Sequence, residues 1–592
     1  MSERRNRRGL LPETDAGLPA RRPHRIAALL LVVLACTGLR LVHLEADTPI
    51  GVGTGSMGLY IDEGYKTLDA RNTVLFGTQR WHPQDRYHGW RGASPLTHWP
   101  FVASFRILGV ELGSARLVSI LYFLLFLLLY AFVGARERPM AHRLAGLLLL
   151  TVSYVLFFFS RVALIEVAIT TASYGALFLL RSPRMRRPEL AFLLVCVLAA
   201  VATFDIKRSA LLYFVPIVTG LVVAAALDDR WAGLARRWAP AAFAFLLLVA
   251  YLARAAWTWR IELAPAASFR KLFLNPMTTS RTPDAEASVL LVCLGLLCAL
   301  HLLALRPREV LSDPYRCALL AMALLAPALL ALFAYTPLRY YVPILPAYVL
   351  LFLEWWWLEP WTWTRRSDSL LAHALGLPLL VAWIFLAGLA FDELVLYQLP
   401  LRLGDTPGIS VTVFYRIFLP VATVAALALW PVRERFFASR LAPAAVALLL
   451  VLTVARDLWM VGRFLGAPSY ESREIGRSLE EIVGTSASIG GDIAPFFALG
   501  TRMRALVVAP HSNSLEENPE LEFDFFQFSE TNEGRATRQI LEERSGVTIG
   551  PALYESEYAG RAISLHRVRW DEPRDDSHES RDEPRDQESR DG

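Results

Sequence analysis

Long apolar runs recur along most of the chain, separated by polar connections of very different lengths. Each run is close to the roughly 20 residues that an α-helix needs to cross a bilayer. Together they extend from Ile26 to about Val461. This pattern predicts a polytopic α-helical membrane protein with about thirteen transmembrane helices. The predicted spans are residues 26–44, 117–133, 144–160, 162–180, 190–204, 210–227, 239–257, 287–305, 317–334, 340–358, 370–391, 410–430 and 441–461.

Composition supports the membrane prediction, and the distribution of charge orients it. The chain is 54% hydrophobic, with a mean hydropathy of +0.38 and a net charge of +5. Residues 1–25 are rich in arginine, which predicts a cytoplasmic N-terminus ahead of an uncleaved first span. The short arginine-rich connections then fall on the cytoplasmic side. The segments predicted on the outer side are residues 45–116, 259–285, 392–409 and everything after residue 462.

The chain changes character after Gly462. Short helix and strand signals at residues 479–483, 505–508, 537–543 and 562–568 alternate with turn residues. They predict a small extracytoplasmic α/β domain over residues 462–570. Residues 571–592 contain Asp-Glu-Pro-Arg-Asp twice and no apolar side chain, which predicts a disordered charged tail. Binding of a partner by that tail is the alternative.

The five cysteines lie in or beside apolar runs, so the loops carry no disulfide framework. Trp355, Trp356 and Trp357 fall near the predicted cytoplasmic interface, where tryptophans commonly form an aromatic belt.

Acidic residues beside membrane spans are the first candidates for chemistry. Asp62 and Glu63 are adjacent in the first outer segment, residues 45–116, and Glu166 directly precedes an apolar run. Charge is costly near lipid, so ionisable groups in such places tend to be functional. In isolation the Asp-Glu pair would more often be a solvated turn or a helix cap.

Several short motifs follow one another on the predicted outer side. They are Asp62-Glu63-Gly64-Tyr65-Lys66, Ser94-Pro95-Leu96, Arg116 at the second span, Ser160-Arg161 to Glu166, Thr203 to Lys207, and Pro337-Leu338-Arg339-Tyr340-Tyr341. Their order over residues 45–350 resembles the GT-C membrane glycosyltransferases of the protein O-mannosyltransferase and lipid A aminoarabinose transferase type. One departure is Ala93-Ser94 where the aminoarabinose transferases carry Lys-Pro. Lys66 or Lys271 is the candidate substitute for that cation.

The resemblance implies a sugar donor linked to polyprenyl phosphate and assigns roles to the acids. The leaving group is already a stabilised anion, so the reaction needs one base and a basic pocket, unlike ordinary glycoside hydrolysis with its two carboxylates. Asp62 is the expected general base. Glu63 is expected to orient the acceptor or hold the loop, and Glu166 to bind acceptor or sugar hydroxyls.

Basic residues at the outer span junctions are the candidates for the phosphate pocket. Lys207 and Arg208 stand at one junction, and Arg161 and Arg339, with Tyr340, are expected to complete the substrate site. For each cation alone, snorkelling to lipid headgroups is an equally good interpretation.

No cofactor is predicted, and a divalent metal held by His82, Asp85, His88 and His98 is the less favoured alternative, because their spacing matches no recognised ligand motif.

The sequence therefore predicts a GT-C glycosyltransferase of a bacterial cell membrane. Its partners are a polyprenyl-phosphate sugar, a protein, lipid or glycan acceptor, and the bilayer, with no nucleic acid. The alternative is a transporter or flippase of a lipid-linked substrate, which should show repeated halves and mid-membrane charges. A third hypothesis is a non-catalytic scaffold for the C-terminal domain. The sequence does not identify the sugar or the acceptor.

Overall fold

The computed structural model describes residues 22–47, 58–87, 94–181, 188–227, 287–331, 338–358, 380–384, 386, 411–429, 440–510 and 513–570. The predicted span 239–257, most of 370–391, residues His88 and Lys271, and the tail 571–592 lie outside them.

The membrane part is a bundle of apolar helices joined by short turns. The helices are α1 Arg22–Leu41, α2 Gly58–Phe76, α3 His98–Leu108, α4 Leu112–Leu129, α5 Met140–Val152, α6 Tyr154–Phe159, α7 Glu166–Leu179, α8 Pro188–Val201, α9 Leu211–Leu227, α10 Ala287–Leu305, α11 Pro307–Leu311, α12 Pro314–Ala331, α13 Leu345–Trp357, α14 Val411–Leu429 and α15 Leu441–Gly466. A π-helical turn, Tyr130–Gly134, extends α4.

Within the described residues, four helices are long and apolar enough to cross a membrane. They lie at Pro23–Leu41, Leu112–Gly134, Arg208–Leu227 and Pro443–Val483, and shorter apolar helices accompany them. The mostly helical membrane architecture is thus confirmed, whereas the number of thirteen spans stays a prediction.

Irregular backbone interrupts the helices near the predicted outer side. The predicted span 144–160 is broken at Ser153 between α5 and α6, and the span predicted to begin at 162 begins at Glu166. Arg40 accommodates part of this irregularity, because its guanidinium donates to the Ser160 hydroxyl and the Thr151 carbonyl, at 2.6 and 3.3 Å. A π-helical turn, Ala202–Ile206, ends α8, and π turns inside helices often mark functional positions.

The C-terminal region forms the predicted α/β domain. Strands β1 Ser488–Gly491, β2 Arg504–Val507, β3 Phe525–Ser529, β4 Val547–Tyr558 and β5 Arg561–Trp570 make one sheet in the order β2-β1-β3-β5-β4. The first three strands in this order are parallel, and β5 pairs antiparallel with both β3 and β4. Three helices accompany the sheet: α16 Glu471–Val483, α17 Ala494–Phe497 and α18 Asn532–Glu543.

This domain packs directly on α2, the helix that contains Asp62 and Glu63. Gly64 lies so close to the Phe496 backbone that a Cβ there would be 2.6 Å from its nitrogen. Buried Arg71 donates three hydrogen bonds, to the carbonyls of Ala498, Thr501 and Met503, at 3.1, 3.1 and 2.6 Å. The domain therefore fixes the position of α2 against the membrane bundle.

Candidate active site

Helix α2 brings two candidate functional side chains to one buried place, at the end of the bundle that the sequence predicts to be the outer one. Asp62 and Lys66 are one helical turn apart and so lie on the same face of α2. Their side chains form an ion pair with 4.0 Å between Lys66 Nζ and Asp62 Oδ1. Lys66, which the sequence predicts only as a substitute cation, is therefore part of the candidate site.

A second ion pair forms where two membrane helices end. Glu166 is the first residue of α7, and Lys207 follows the π-helical turn with extended backbone (φ −163°). The Lys207 ammonium donates to Glu166 Oε1 at 2.5 Å. Both side chains are almost fully buried. The turn after α8 thus directs the lysine back toward the start of α7.

Arg339 joins the two ion pairs into one cluster. Its Nη1 pairs with Asp62 Oδ2, and its Nε lies 3.9 Å from Glu166 Oε1. The residue belongs to a short 3-10 turn, Leu338–Tyr341, that precedes α13. We call Asp62, Lys66, Glu166, Lys207 and Arg339 the outer charge cluster. It brings together two of the three acids and two of the four basic residues predicted for one site.

The aromatic ring of Tyr340 lies beside the two main cations. Lys207 Nζ is 4.3 Å from the ring centroid, and the guanidinium carbon of Arg339 is 5.5 Å from it. The Tyr340 carbonyl accepts a hydrogen bond of 2.5 Å from the Tyr213 hydroxyl, which fixes this turn against α9. Tyr340 therefore helps to position the cations.

The outer charge cluster has three cations and two carboxylates, a formal excess of one positive charge. Burial lowers the pKa of Lys66 to about 7, although the nearby Asp62 carboxylate acts in the opposite direction. The second oxygen of Glu166, Oε2, is buried and accepts no hydrogen bond in the described part of the chain. The cluster is thus suited to an anionic ligand that also presents a hydroxyl.

Glu63 points away from the outer charge cluster, although it is adjacent to Asp62. Its carboxylate accepts hydrogen bonds from Arg116 Nε and Nη2 at 2.9 and 2.7 Å, and from the Ala163 amide at 2.7 Å. Arg116 also donates to the carbonyls of Leu44 and Ala46. Of the two roles expected for Glu63, this geometry favours holding the loop.

Arg161 does not reach the outer charge cluster. It donates to the His43 carbonyl at 2.6 Å, and its guanidinium carbon lies 4.6 Å from the centroid of the Phe464 ring. The expectation that Arg161 completes the phosphate pocket has no support in this arrangement. Arg208 begins the 3-10 turn after Lys207 and is half-buried, so its phosphate role stays a prediction.

Asp205 is a supporting residue that sequence reasoning missed. Its carboxylate accepts hydrogen bonds from the Ser94 hydroxyl and the Leu96 amide, at 2.9 and 2.8 Å. It therefore holds the Pro95 turn of the first outer segment against the π-helical turn before Lys207. The only signal in the sequence is an acid two residues before a lysine.

A metal centre is not assembled in the described part of the chain. No group of three His, Cys, Asp or Glu side chains there is arranged to hold an ion. Asp85 instead accepts hydrogen bonds from the Asn513 side chain and the Tyr87 amide, at 2.7 and 2.9 Å.

Comparison with known proteins identifies the fold. No protein-family model matches the chain, and no curated protein matches it. Among solved structures, ArnT from Cupriavidus metallidurans bound to undecaprenyl phosphate matches with a TM-score of 0.50 and 13% sequence identity, over 92% of this chain and 98% of that chain. The chain has the GT-C fold. The apo form of the same ArnT gives a TM-score of 0.49 at 13% identity over the same shares.

The match covers the membrane bundle and the C-terminal domain together, since it extends over nearly all of both chains. With its apolar helices, the chain is an integral membrane protein. The GT-C fold expected from the order of the sequence motifs is confirmed.

Proposed function

We propose that this GT-C protein is a glycosyltransferase that moves a sugar from a polyprenyl-phosphate donor to an acceptor hydroxyl at the outer face of the membrane. The observation that carries the proposal is the position of Arg339, which contacts Asp62 and lies 3.9 Å from Glu166. One guanidinium, itself a candidate ligand of the phosphate, thus lies between the candidate base and the acid proposed to bind a hydroxyl. The ArnT structure of the same fold contains undecaprenyl phosphate, which supports this class of donor.

The leaving group determines which side chains the reaction needs. When the bond between the anomeric carbon and the phosphate oxygen breaks, its electron pair stays on the polyprenyl phosphate. Lys207 and Arg339 can stabilise that anion directly, and charge-assisted hydrogen bonds to phosphate are among the strongest in proteins. Lys66 adds a third cation nearby when it is protonated. No carboxylic acid has to protonate the leaving oxygen.

Asp62 is the proposed general base. As the acceptor oxygen bonds to the anomeric carbon, its proton passes to an Asp62 carboxylate oxygen. Such assistance typically contributes roughly 10²- to 10⁴-fold to the rate. The free Oε2 of Glu166 is proposed to accept a hydrogen bond from a sugar or acceptor hydroxyl. Glu63 acts as a positioning residue through Arg116.

In the free protein the Asp62 carboxylate is not available to an acceptor hydroxyl, because its Oδ2 is paired with Arg339. A donor phosphate competes with Asp62 for the same guanidinium. Binding of the donor therefore releases Asp62, and we propose that the donor binds before the acceptor hydroxyl is activated.

The test is transfer of a labelled sugar from polyprenyl phosphate by the purified full-length protein in liposomes, with acceptor fractions from the cell envelope. The proposal expects labelled product together with free polyprenyl phosphate. Movement of the intact donor lipid across the bilayer without transfer would instead assign the chain to the transporter class. Lys207→Ala should weaken donor binding, while Arg208→Ala tests the neighbouring cation whose role is still a prediction.

A further inference from the structure

A second charged cluster lies at the opposite ends of the same helices. Helices α4, α7 and α13 begin beside the outer charge cluster or its supporting residues, and their other ends meet around Glu354. Leu112–Gly134 alone has 23 residues, which corresponds to about 35 Å along a helix. The Glu354 cluster therefore lies at the other end of these helices from the candidate active site.

Three arginines surround the buried carboxylate of Glu354. Arg138 Nη2 is 2.8 Å from both of its oxygens, and Arg316 Nε is 3.0 Å from Oε2. Arg181 contacts Oε1 and also donates to the Gly134 carbonyl at 2.8 Å. Three guanidiniums against one carboxylate leave a formal excess of two positive charges in a place where Glu354 is 2% exposed.

These arginines line a cavity of about 860 Å³. Exposed Arg136 adds a fourth guanidinium to the lining, and Tyr315 lies under Arg181 with 4.1 Å between the guanidinium carbon and the ring centroid. The three acids of the lining are all more exposed than Glu354. Glu137 is exposed, Glu309 is 57% exposed and pairs with Arg306, and Asp313 is 39% exposed and lies 3.8 Å from Arg316 Nη1.

The more exposed charges are screened by water and salt, whereas the arginines on the floor are screened far less. Glu354 and the more exposed Asp313 compensate only part of the buried positive charge, and the remaining excess is costly. The cavity therefore favours an anion that can reach the floor.

Two observations place the cavity at the depth of lipid headgroups. Trp356 and Trp357 are partly exposed at the end of α13, as expected for an aromatic belt at the interface. The guanidinium carbon of Arg138 lies 4.2 Å from the Trp357 ring centroid, so the arginines share that depth. Apolar lining residues, including Phe132 and Leu180, provide a surface for the glycerol and upper acyl carbons of a lipid.

We infer that this arginine pocket, formed by Arg136, Arg138, Arg181 and Arg316 around Glu354, binds the phosphate of an anionic lipid headgroup from the membrane leaflet opposite the candidate active site. Basic pockets between membrane helices recognise such headgroups. The site is separate from the proposed donor site, so its test does not depend on glycosyl transfer.

The test uses the full-length protein in a neutral detergent and follows Tm during titration with phosphatidylglycerol, phosphatidylcholine or inorganic phosphate. Phosphatidylglycerol should raise Tm in a saturable manner, and the other two should not. Arg136→Gln combined with Arg316→Gln should weaken the apparent affinity for phosphatidylglycerol roughly 30-fold, at about fivefold for each arginine near an anionic headgroup. In this variant Glu354 still forms ion pairs with Arg138 and Arg181, and these contacts favour folding. Arg136→Gln alone, at an exposed position, should still weaken the apparent affinity for phosphatidylglycerol about fivefold.

Two further variants separate binding from a purely structural role of the arginines. Arg308→Gln removes an exposed charge from the same connection but outside the cavity lining, and it should bind as the wild type does. Glu354→Gln removes the negative charge and should bind phosphatidylglycerol at least as tightly as the wild type.

Four results would overturn the inference. They are equal responses to phosphatidylcholine and phosphatidylglycerol, unchanged affinity in both arginine variants, loss of binding in a folded Glu354→Gln protein, or the same saturable shift with inorganic phosphate alone. The last result would assign the pocket to a free phosphate.

Discussion

Replacement of Asp62 by asparagine should have opposite effects on turnover and on donor binding. The asparagine keeps the shape of the side chain but cannot accept the acceptor's proton, so turnover should fall by roughly 10²-fold or more. At the same time it removes the carboxylate that holds Arg339 in the free protein. Arg339 then meets the donor phosphate without first leaving a partner, and the donor should bind more tightly.

The size of the gain in donor affinity follows from the contact that is lost. A hydrogen bond to a charged group contributes about 1.5–3 kcal/mol. Part of this is retained in the variant, because Glu166 Oε1 lies 3.9 Å from Arg339 Nε and still attracts it. We therefore expect a gain of about 1.4 kcal/mol, which is a tenfold lower Kd for the donor.

The assay measures donor binding and single-turnover transfer separately on the same preparation. Asp69→Asn is the matched control, because it is the same substitution on the same helix, and the charged neighbours of Asp69 are Asp85 and Arg80, not the outer charge cluster. Its donor Kd and turnover should stay near the wild-type values. A donor Kd for Asp62→Asn that is unchanged or higher would refute the competition between Asp62 and the phosphate, and undiminished transfer would remove Asp62 from the chemistry.

Three further predictions concern pH, stability and the tail. Burial lowers the pKa of Lys66 to about 7, so its ammonium is present below that pH and lost above it. Donor affinity should therefore fall as pH rises through 7. Lys66→Arg, which stays charged, should flatten this pH dependence in the same binding assay. Burial and then the Asp85 carboxylate raise the pKa of Asp69 from 3.8 to about 7. Between these values Asp69 ionises in the unfolded chain but stays protonated in the folded protein, so it increasingly favours unfolding, and the Tm gain from Asp69→Asn should grow from pH 4 to pH 7 and then level off. A gain that does not vary with pH would contradict this. Deletion of residues 571–592, which contain nothing apolar to bury, should leave Tm and transfer unchanged, and lost transfer in a well-folded truncation would show that the tail recruits a partner.

Apolar periodicity and charge placement predicted much of this structure. The helix Ala287–Leu305 coincides with its predicted span, and helix Val411–Leu429 differs from its span by one residue at each end. Long apolar runs bounded by charge leave few other solutions in a bilayer. The C-terminal strands Arg504–Val507 and Arg561–Trp570 also lie at positions with strand signals.

The sequence could not predict that the side chains of Asp62 and Glu63 contact different partners. The sequence predicts an outer loop for both residues, whereas in the structure they lie within helix Gly58–Phe76. Neighbouring residues on a helix point about 100° apart, so one acid reaches the outer charge cluster and the other reaches Arg116. This helix is polar, because the C-terminal domain covers it and lipid does not. Its sequence therefore lacks the apolar run that predicts a membrane helix.

Side chains with distant partners were equally hard to place from sequence. Arg161 contacts Phe464, about three hundred residues later in the chain, and Arg71 is bound by carbonyls of the C-terminal domain. Arginine at a span end has the same sequence signature whether it meets a phosphate, an aromatic ring or a carbonyl. Only the tertiary arrangement distinguishes Arg161 from Arg339.

The most direct test of the account is a structure of the purified protein with polyprenyl phosphate bound. We expect the phosphate within hydrogen-bond distance of both Lys207 Nζ and Arg339, with the Arg339 guanidinium moved from Asp62 to the phosphate and Asp62 facing the space for the acceptor. A phosphate bound away from these two cations, or an Asp62–Arg339 contact that persists beside it, would contradict the account.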